Sequence, residues 1–242
     1  MMKVISDKYN GITIDPTTLP EDITSFETAL TELISQTENK NLLWLTLPIT
    51  KSAFIPVLIQ NGFVFFECKE TKLTLFKKLT NNPVTPTATN HTVGVGAFIQ
   101  DGDNLVVVKD RINRRFKLPG GYMNSAENIR QAAIREVLEE TGIHIKVESI
   151  ISLAHFYPSQ FDNSNIYMVC RAIPLSKEII ISDTHEIIDA KWISIDEYIY
   201  SKTAHPFNKK IVETALRGKG LVYEEQQIDA KDKPKYEYEF FS

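Results

Sequence analysis

Apolar and polar residues change period several times along the chain, and each change marks an element. Phe26, Leu30, Leu33 and Ile34 recur at i, i+4, i+7 and i+8, the spacing of one helix face. Residues 42–47 form a short apolar run closed by Pro48, which reads as a buried strand. Thr50 is placed to cap a helix running towards Gly62, with Pro56 kinking it or confining it to a short form. Residues 63–68 and 71–79 read as two strands that pair as a hairpin. A polar, proline-bearing stretch, 80–90, then interrupts the pattern as a linker does.

Past the linker, apolar runs at 93–100 and 105–110 flank Asp101-Gly102-Asp103-Asn104, a hairpin turn signal. Ile129, Ala133, Val137 and Leu138 form a helical stripe, and Gly142 supplies the stop that a left-handed residue gives a helix. Residues 145–155, 166–173 and 190–194 read as further strands and 208–217 as a helix. The expected organisation is α/β throughout: a small unit over residues 1–85 and a larger one over 91–220. The charged, tyrosine-rich tail over 221–242 has no assigned element or role.

Composition narrows the classes of function. A net charge of −4 over 242 residues gives no general affinity for nucleic acid or an anionic membrane surface. The two cysteines, Cys68 and Cys170, lack metal-ligand spacing and are expected to pack as small apolar residues in a reducing compartment. The opening residues have no apolar signal core and no apolar run approaches the length of a membrane span, so a cytoplasmic protein is expected.

The chemistry concentrates between Gly121 and Ile143. Glu136, Glu139 and Glu140 fall at i, i+3 and i+4, so a helix places all three carboxylates on one face. Uncompensated they repel, and a divalent cation removes the conflict; hard oxygen ligands of this kind suit Mg²⁺ or Mn²⁺. A solvated acidic helix face is the ordinary alternative. It does not explain why Pro119-Gly120-Gly121 leads into the helix or why Glu127 stands eight residues before Arg135.

This run resembles the box of the Nudix hydrolases, G-x5-E-x7-R-E-U-x-E-E-x-G-U with U aliphatic, at every position. Seven fixed residues agree by chance on the order of once in 10⁹ windows. The resemblance implies a Nudix α/β/α sandwich and an enzyme that cleaves a nucleoside diphosphate linked to another moiety, usually with Mg²⁺. It implies Glu136 and Glu140 as the first metal ligands, Glu139 next, and a backbone carbonyl of Gly120 or Gly121 completing the shell. Arg135, which cannot lose its proton, suits an orienting ion pair with Glu127. Family members often take a further carboxylate, as metal ligand or general base, from a loop before a strand carrying Trp. Here Glu186 precedes Trp192 and holds that place, an ordinary solvated glutamate being the alternative.

Outside the box, LLWLTLPITKSAFIPVLIQNGFVFFE, HTVGVGAFI and IYMVCRAIPLS resemble a two-domain group of the family. That group includes plant ADP-ribose/NADH diphosphatases and an animal protein encoded antisense to a fibroblast growth factor. The resemblance implies an N-acetyltransferase-like topology for residues 1–85. Only Gly11 and Gly62 occur there, so no glycine-rich turn is available for a cofactor pyrophosphate and a structural or regulatory role is expected. Leu42, Leu43, Trp44, Leu45 and Leu47, apolar on both faces of one strand, make a homodimer the expected assembly. Pro158, fifteen residues after Ile143, stands where a proline accompanies ADP-ribose diphosphatases of the family. Phe156, Tyr157, Phe161 and Tyr167 are candidates to stack on an adenine, the first three taken as the substrate-binding set, with packing in the core the ordinary alternative for each. The implied substrate is a small nucleotide, ADP-ribose first and NADH next. Other Nudix activities, dinucleoside polyphosphate or capped-RNA cleavage, and a non-enzymatic ADP-ribose sensor are the alternatives.

Overall fold

The computed structural model describes residues 2–37, 39–224 and 238–242. The chain divides into two compact units, Met1–Thr89 and Asn90–Ser242.

In the first unit β1 (Val4–Ser6) and β2 (Ile12–Ile14) precede α1 (Ile23–Ser35), which starts where the Asp22 carboxylate accepts the Ser25 amide at 2.8 Å. β3 (Leu42–Pro48) follows, then a 3-10 helix over Ile49–Phe54, α2 (Ile55–Gln60), β4 (Val64–Lys69) and β5 (Lys72–Lys78). The sheet order is β1-β2-β3-β5-β4, with β2 and β3 parallel. Leu43, Leu45 and Leu47 turn one face of β3 into a core with Phe26, Leu30, Phe54 and Leu58. On the opposite face Trp44 meets Phe66 and Phe76, with ring centroids 5.1 and 4.9 Å apart, so part of its apolar surface is covered from within the sheet.

Two expectations for this unit need correction. Thr50 caps neither helix: it lies inside the 3-10 segment, and Pro56 sits in the first turn of the separate short helix α2, the expected short form, because its ring is tolerated there. Cys68 is exposed, since β4 is the edge strand and the end of it that carries Cys68 is open to water.

The second unit is a twisted sheet with helices on both faces. Its strands are β6 (His91–Asp101), β7 (Asn104–Asp110), β8 (Phe116–Lys117), β9 (Gly120–Tyr122), β10 (Ile145–Phe156), β11 (Ser164–Pro174), β12 (Ile187–Ser194), β13 (Leu221–Glu224) and β14 (Phe240–Phe241). Their order is β12-β7-β6-β11-β10-β13-β14, with β8 beside β7 and β9 beside β6, and with β6 and β11 parallel. On one face Val95, Ala97, Ile99 and Cys170 pack against Ala132, Ala133 and Val137 of α3 (Ile129–Thr141). On the other, Phe98, Val107 and Val169 pack against Tyr198 of α4 (Ile195–Tyr200) and Ile211, Val212 and Ala215 of α5 (Pro206–Arg217). This is the expected α/β/α sandwich.

The tail belongs to this unit. β13 pairs with β10 at Ser149 and Ile150, and β14 returns to pair with β13, so the unit runs past residue 220; residues 225–237 of the tail lie outside the described residues. Among the described residues no helix is long and apolar enough to cross a membrane.

Candidate active site

Three groups fix the start of α3. The Asn128 side chain accepts the Gln131 amide at 2.8 Å while the Gln131 side chain accepts the Asn128 amide at 3.0 Å, a capping box. Glu239, from the tail, accepts the Ile129 amide at 2.8 Å and pairs with the Arg130 Nε at 2.6 Å. The Arg130 guanidinium in turn lies 3.6 Å from the centroid of the Tyr223 ring. At the other end Gly142 closes the helix at φ 72°.

The expected apolar stripe is only partly right. Ala133 and Val137 are buried, but Leu138 is exposed, and Ala132 and Glu140 take the interior positions instead. Glu140 is drawn inward because its Oε2 accepts the Gly120 amide at 2.7 Å and its Oε1 lies 3.6 Å from the Lys117 Nζ.

The glycine turn is shaped for these contacts. Gly120 has φ 145°, and a Cβ there would lie 2.3 Å from the Val95 carbonyl oxygen. A Cβ on Gly121 would fall 2.6 Å from the Glu136 carboxylate, so only glycine lets that side chain reach the turn.

Arg135 ties the box together. Its Nε and Nη2 donate to the two oxygens of Glu127 at 2.6 and 3.0 Å. Its Nη1 donates to Glu136 at 2.8 Å and Glu139 at 3.0 Å, and Nη2 reaches the Tyr122 carbonyl at 3.0 Å.

A second wall comes from the loop before β12. The Ser182 and Asp183 amides donate to the Glu139 carbonyl at 3.0 and 2.9 Å, which fastens the loop to the last turn of α3. Arg111 clamps its far side: Nη2 donates to the Thr184 carbonyl at 2.7 Å and Nε to the His185 carbonyl at 3.0 Å. Its amide donates to the Glu186 carbonyl at 2.8 Å. The result is a cavity of about 530 Å³ in which Gly120, Gly121, Glu136, Glu139, Asp183 and Glu186 share the lining. That is within the range of small-ligand sites.

Burial and pairing set the charges. Burial pushes the Glu140 carboxyl up to about 7, against the opposing pull of Lys117 and the Gly120 amide. Burial also raises Glu136, although Arg135 opposes it. Glu127 goes the other way, held down to about 2 chiefly by its hydrogen bonds from Arg135. Burial, reinforced by the charges of Glu140 and Glu136, raises the Tyr167 phenol.

Phe156, Tyr157 and Phe161 do not line this cavity. Phe156 packs edge-on against Phe207 at 5.1 Å, Tyr157 stacks on His155 at 5.1 Å, and Phe161 is 86% exposed on a 3-10 turn. Tyr167, the fourth aromatic candidate, does line it, as do Lys117, Asn165 and Asp183. A signal for Tyr167 was present in Gly94-Val95-Gly96, two bare positions on one face of a strand.

A glycine turn thus feeds a helix of the α/β/α sandwich whose Glu136 and Glu139 meet Arg135 while Glu140 meets Lys117. The pattern described as "NUDIX domain" matches residues 90–215, and that described as "Nudix hydrolase domain" matches residues 2–79. The chain belongs to the Nudix hydrolase family, whose members hydrolyse nucleoside diphosphate derivatives and generally use divalent metal ions.

It is 31% identical over 209 residues to Nudix hydrolase 8 of Arabidopsis thaliana, covering 82% of this chain and 56% of that protein. It is 29% identical over 225 residues to nucleoside diphosphate-linked moiety X motif 6 of Homo sapiens, covering 88% of this chain and 71% of that one. The chain thus spans little more than half of the Arabidopsis protein's length. A solved NUDIX hydrolase from Nitrosomonas europaea is 28% identical with a TM-score of 0.47, over 53% of this chain and 90% of that one.

The donors fit a hard divalent cation in kind, being carboxylate oxygens beside a backbone carbonyl. Burial raises Glu136 and Glu140 despite Arg135 and Lys117, so both resist ionising as they stand and a nearby divalent cation would favour their charged form. In this conformation no three such side chains among the described residues converge on one point, because Glu136 and Glu139 turn to Arg135 and Glu140 to Lys117.

Proposed function

We propose that the chain hydrolyses the diphosphate linkage of a nucleoside diphosphate derivative with Mg²⁺, Mn²⁺ serving as well, and that ADP-ribose is the preferred substrate with NADH next. The observation that carries this reading is the gathering of Glu136, Glu139 and Glu186 around one cavity lined by the Gly120–Gly121 turn. Glu136 and Glu140 are the first ligands for the cation, with Glu139 and a carbonyl of Gly120 or Gly121 completing the set. A cation held there would screen the diphosphate charge and make the attacking water easier to deprotonate.

The remaining roles fall to side chains of the chain itself. Glu186, on the loop that Arg111 clamps, and Glu139 are the carboxylates placed to accept the proton of the attacking water. The water oxygen bonds to phosphorus, the bridging P–O bond breaks, and the departing phosphate keeps the electron pair. ADP-ribose and water then give AMP and ribose 5-phosphate. Arg135 and Glu127 do not meet the substrate in this scheme; they set the angle at which Glu136 and Glu139 face the cavity.

ADP-ribose is supported by resemblance to the two-domain group and by Pro158. The exposed aromatics at 156, 157 and 161 lend it no support, because they lie away from the carboxylates. A substrate panel with Mg²⁺, products resolved by chromatography, tests the reading. AMP and ribose 5-phosphate from ADP-ribose is the expected result. A tenfold or greater preference in kcat/KM for ATP or a dinucleoside polyphosphate, on the order of 1.4 kcal/mol in transition-state binding, overturns it.

A further inference from the structure

Tyr167 lies in β11 directly opposite Gly94 of the parallel neighbour β6, so both project on the same side of the sheet. A Cβ on Gly94 would fall 2.7 Å from the Tyr167 Cδ2, and one on Gly96 would fall 2.4 Å from its hydroxyl oxygen. Two glycines, spaced by two on one strand, therefore leave a bare strip of backbone on which the ring lies. Phe207 meets the ring edge-on at 6.3 Å. The glycine strip and Phe207 hold the side chain along its length.

Its hydroxyl ends beside the glycine turn, 2.9 Å from where a Gly120 Cβ would stand, in the cavity that Glu136, Glu139 and Glu186 line. Tyr198, a fully buried tyrosine of the same unit, donates its hydroxyl to the Phe116 carbonyl at 3.2 Å. The Tyr167 hydroxyl has no hydrogen-bond partner among the described residues. The cationic donors of the cavity are already engaged, Arg135 with Glu127, Glu136 and Glu139, and Lys117 with Glu140 and the Gly120 carbonyl. The amide nitrogen of Asn165 donates to Thr92. A phenol is a neutral donor at neutral pH, and this one, part-exposed to the cavity with no protein partner, is free to donate to an anionic acceptor held there.

We propose that the Tyr167 hydroxyl donates a hydrogen bond to an oxygen of the substrate diphosphate, and so contacts substrate from the strand side while the box carboxylates act from the helix side. The inference rests on the hydrolase reading above. It assigns the glycine strip at 94 and 96 a purpose: it seats a ring so that one oxygen reaches the floor of the cavity.

Tyr167→Phe removes that oxygen and keeps the ring on its strip. The expected outcome is an unchanged melting temperature and a fall in kcat/KM of about 10- to 100-fold, the loss typical of one hydrogen bond to a charged group. Affinity for the non-hydrolysable α,β-methylene analogue of ADP-ribose, measured by calorimetry with Mg²⁺, should fall by a similar factor. Glu139→Gln is assayed in parallel. If wild type cleaves ADP-ribose, Glu139→Gln does not, and Tyr167→Phe stays within about twofold of wild type, the inference fails while the hydrolase reading stands. If wild type cleaves no diphosphate, the hydrolase reading fails and analogue binding decides the inference. Weaker binding by Tyr167→Phe upholds it; equal binding, or none by either protein, overturns it.

Discussion

Arg135 and Glu127, eight residues apart, close a two-point ion pair at 2.6 and 3.0 Å in which every oxygen of the carboxylate meets a guanidinium nitrogen. The second oxygen of Glu127 also accepts the Asn124 amide at 2.8 Å. The pair links the loop before α3 to the middle of the helix, and the remaining guanidinium nitrogen is thereby aimed at Glu136 and Glu139. Fork geometry of this kind is open to arginine and not to lysine.

This pair makes acid stability a test of Glu127. Its carboxyl is held down to about 2 by Arg135, against about 4.5 for the free group. A depressed pKa in the folded state contributes stability above the unfolded value and loses it as pH falls through the folded one. The window is therefore pH 4.5 down to 2. Glu127→Gln should melt lower than wild type at pH 7, by about 1–2 kcal/mol once solvent screening is allowed for. The gap should close as the pH is lowered through that window. Melting curves at pH 7 and pH 3 check it, and a gap that stays constant shows that the carboxylate charge is not what Arg135 holds. Activity should fall less than for any metal ligand.

Glu140→Gln separates charge from architecture. The amide oxygen of glutamine still accepts the Gly120 N–H, so the turn stays in place and the melting temperature should hold. The lost charge removes a cation ligand whose effect is felt mainly in the transition state, so kcat should fall by at least about 10²-fold. Excess EDTA should abolish activity in wild type, and Mg²⁺ or Mn²⁺ should restore it. Full activity in EDTA, or an unchanged kcat in the variant, removes Glu140 from the metal site.

The box was legible because its logic is local. Glycines, glutamates and the arginine act within about two dozen residues of one another, and helical spacing alone puts three carboxylates together. What stayed hidden depends on partners far along the chain. Glu239 reaches the Ile129 amide across 110 residues, and Arg111 reaches the Thr184 carbonyl across 73. Tyr167 cannot be told from the other aromatic candidates until the register of β11 against β6 sets it on Gly94. Leu138 and Glu140 exchanged their expected environments for a related reason: the Gly120 amide and Lys117 reward a carboxylate for turning inward, which periodicity of apolar residues does not reveal. The aromatics at 156, 157 and 161 misled because residue type gives stacking capacity and not direction.

The tail offers a test of long-range anchoring. Glu239 is buried to 8% exposure and satisfies the first free amide of α3 while pairing with Arg130. Negative charge at a helix N-terminus is favourable, and this one also removes an orphan donor. Glu239→Ala should destabilise the protein by about 2 kcal/mol, or roughly 4–8 °C in melting temperature for a unit of this size. Glu239→Gln, which keeps the acceptor, should lie between the two. Thermal denaturation of the full chain measures both, and a shift below about 1 °C for the alanine variant means the tail does not hold the helix.

The first unit should shape the assembly and bind no acetyl-CoA. Its glycine amides are both engaged in turns: Gly11 donates to the Asp7 carboxylate at 2.8 Å and Gly62 to the Ile59 carbonyl at 2.9 Å. Neither is left to hold a pyrophosphate, which needs several free amides converging on one point. The edge strand β4 has the opposite character. Among the described residues its outer side has no strand partner, and Val64 and Phe65 on it are 50% and 56% exposed. An open edge bearing apolar side chains is a template for a second strand, and a second copy of β4 provides one with the matching two-fold pairing. Light scattering should therefore give a homodimer for the full chain and a monomer for Phe65→Glu, whose charge opposes edge pairing while leaving the core of the unit untouched. Calorimetry with acetyl-CoA should give no binding heat. A monomeric full chain ends the dimer assignment, and measurable acetyl-CoA binding ends the structural reading of this unit.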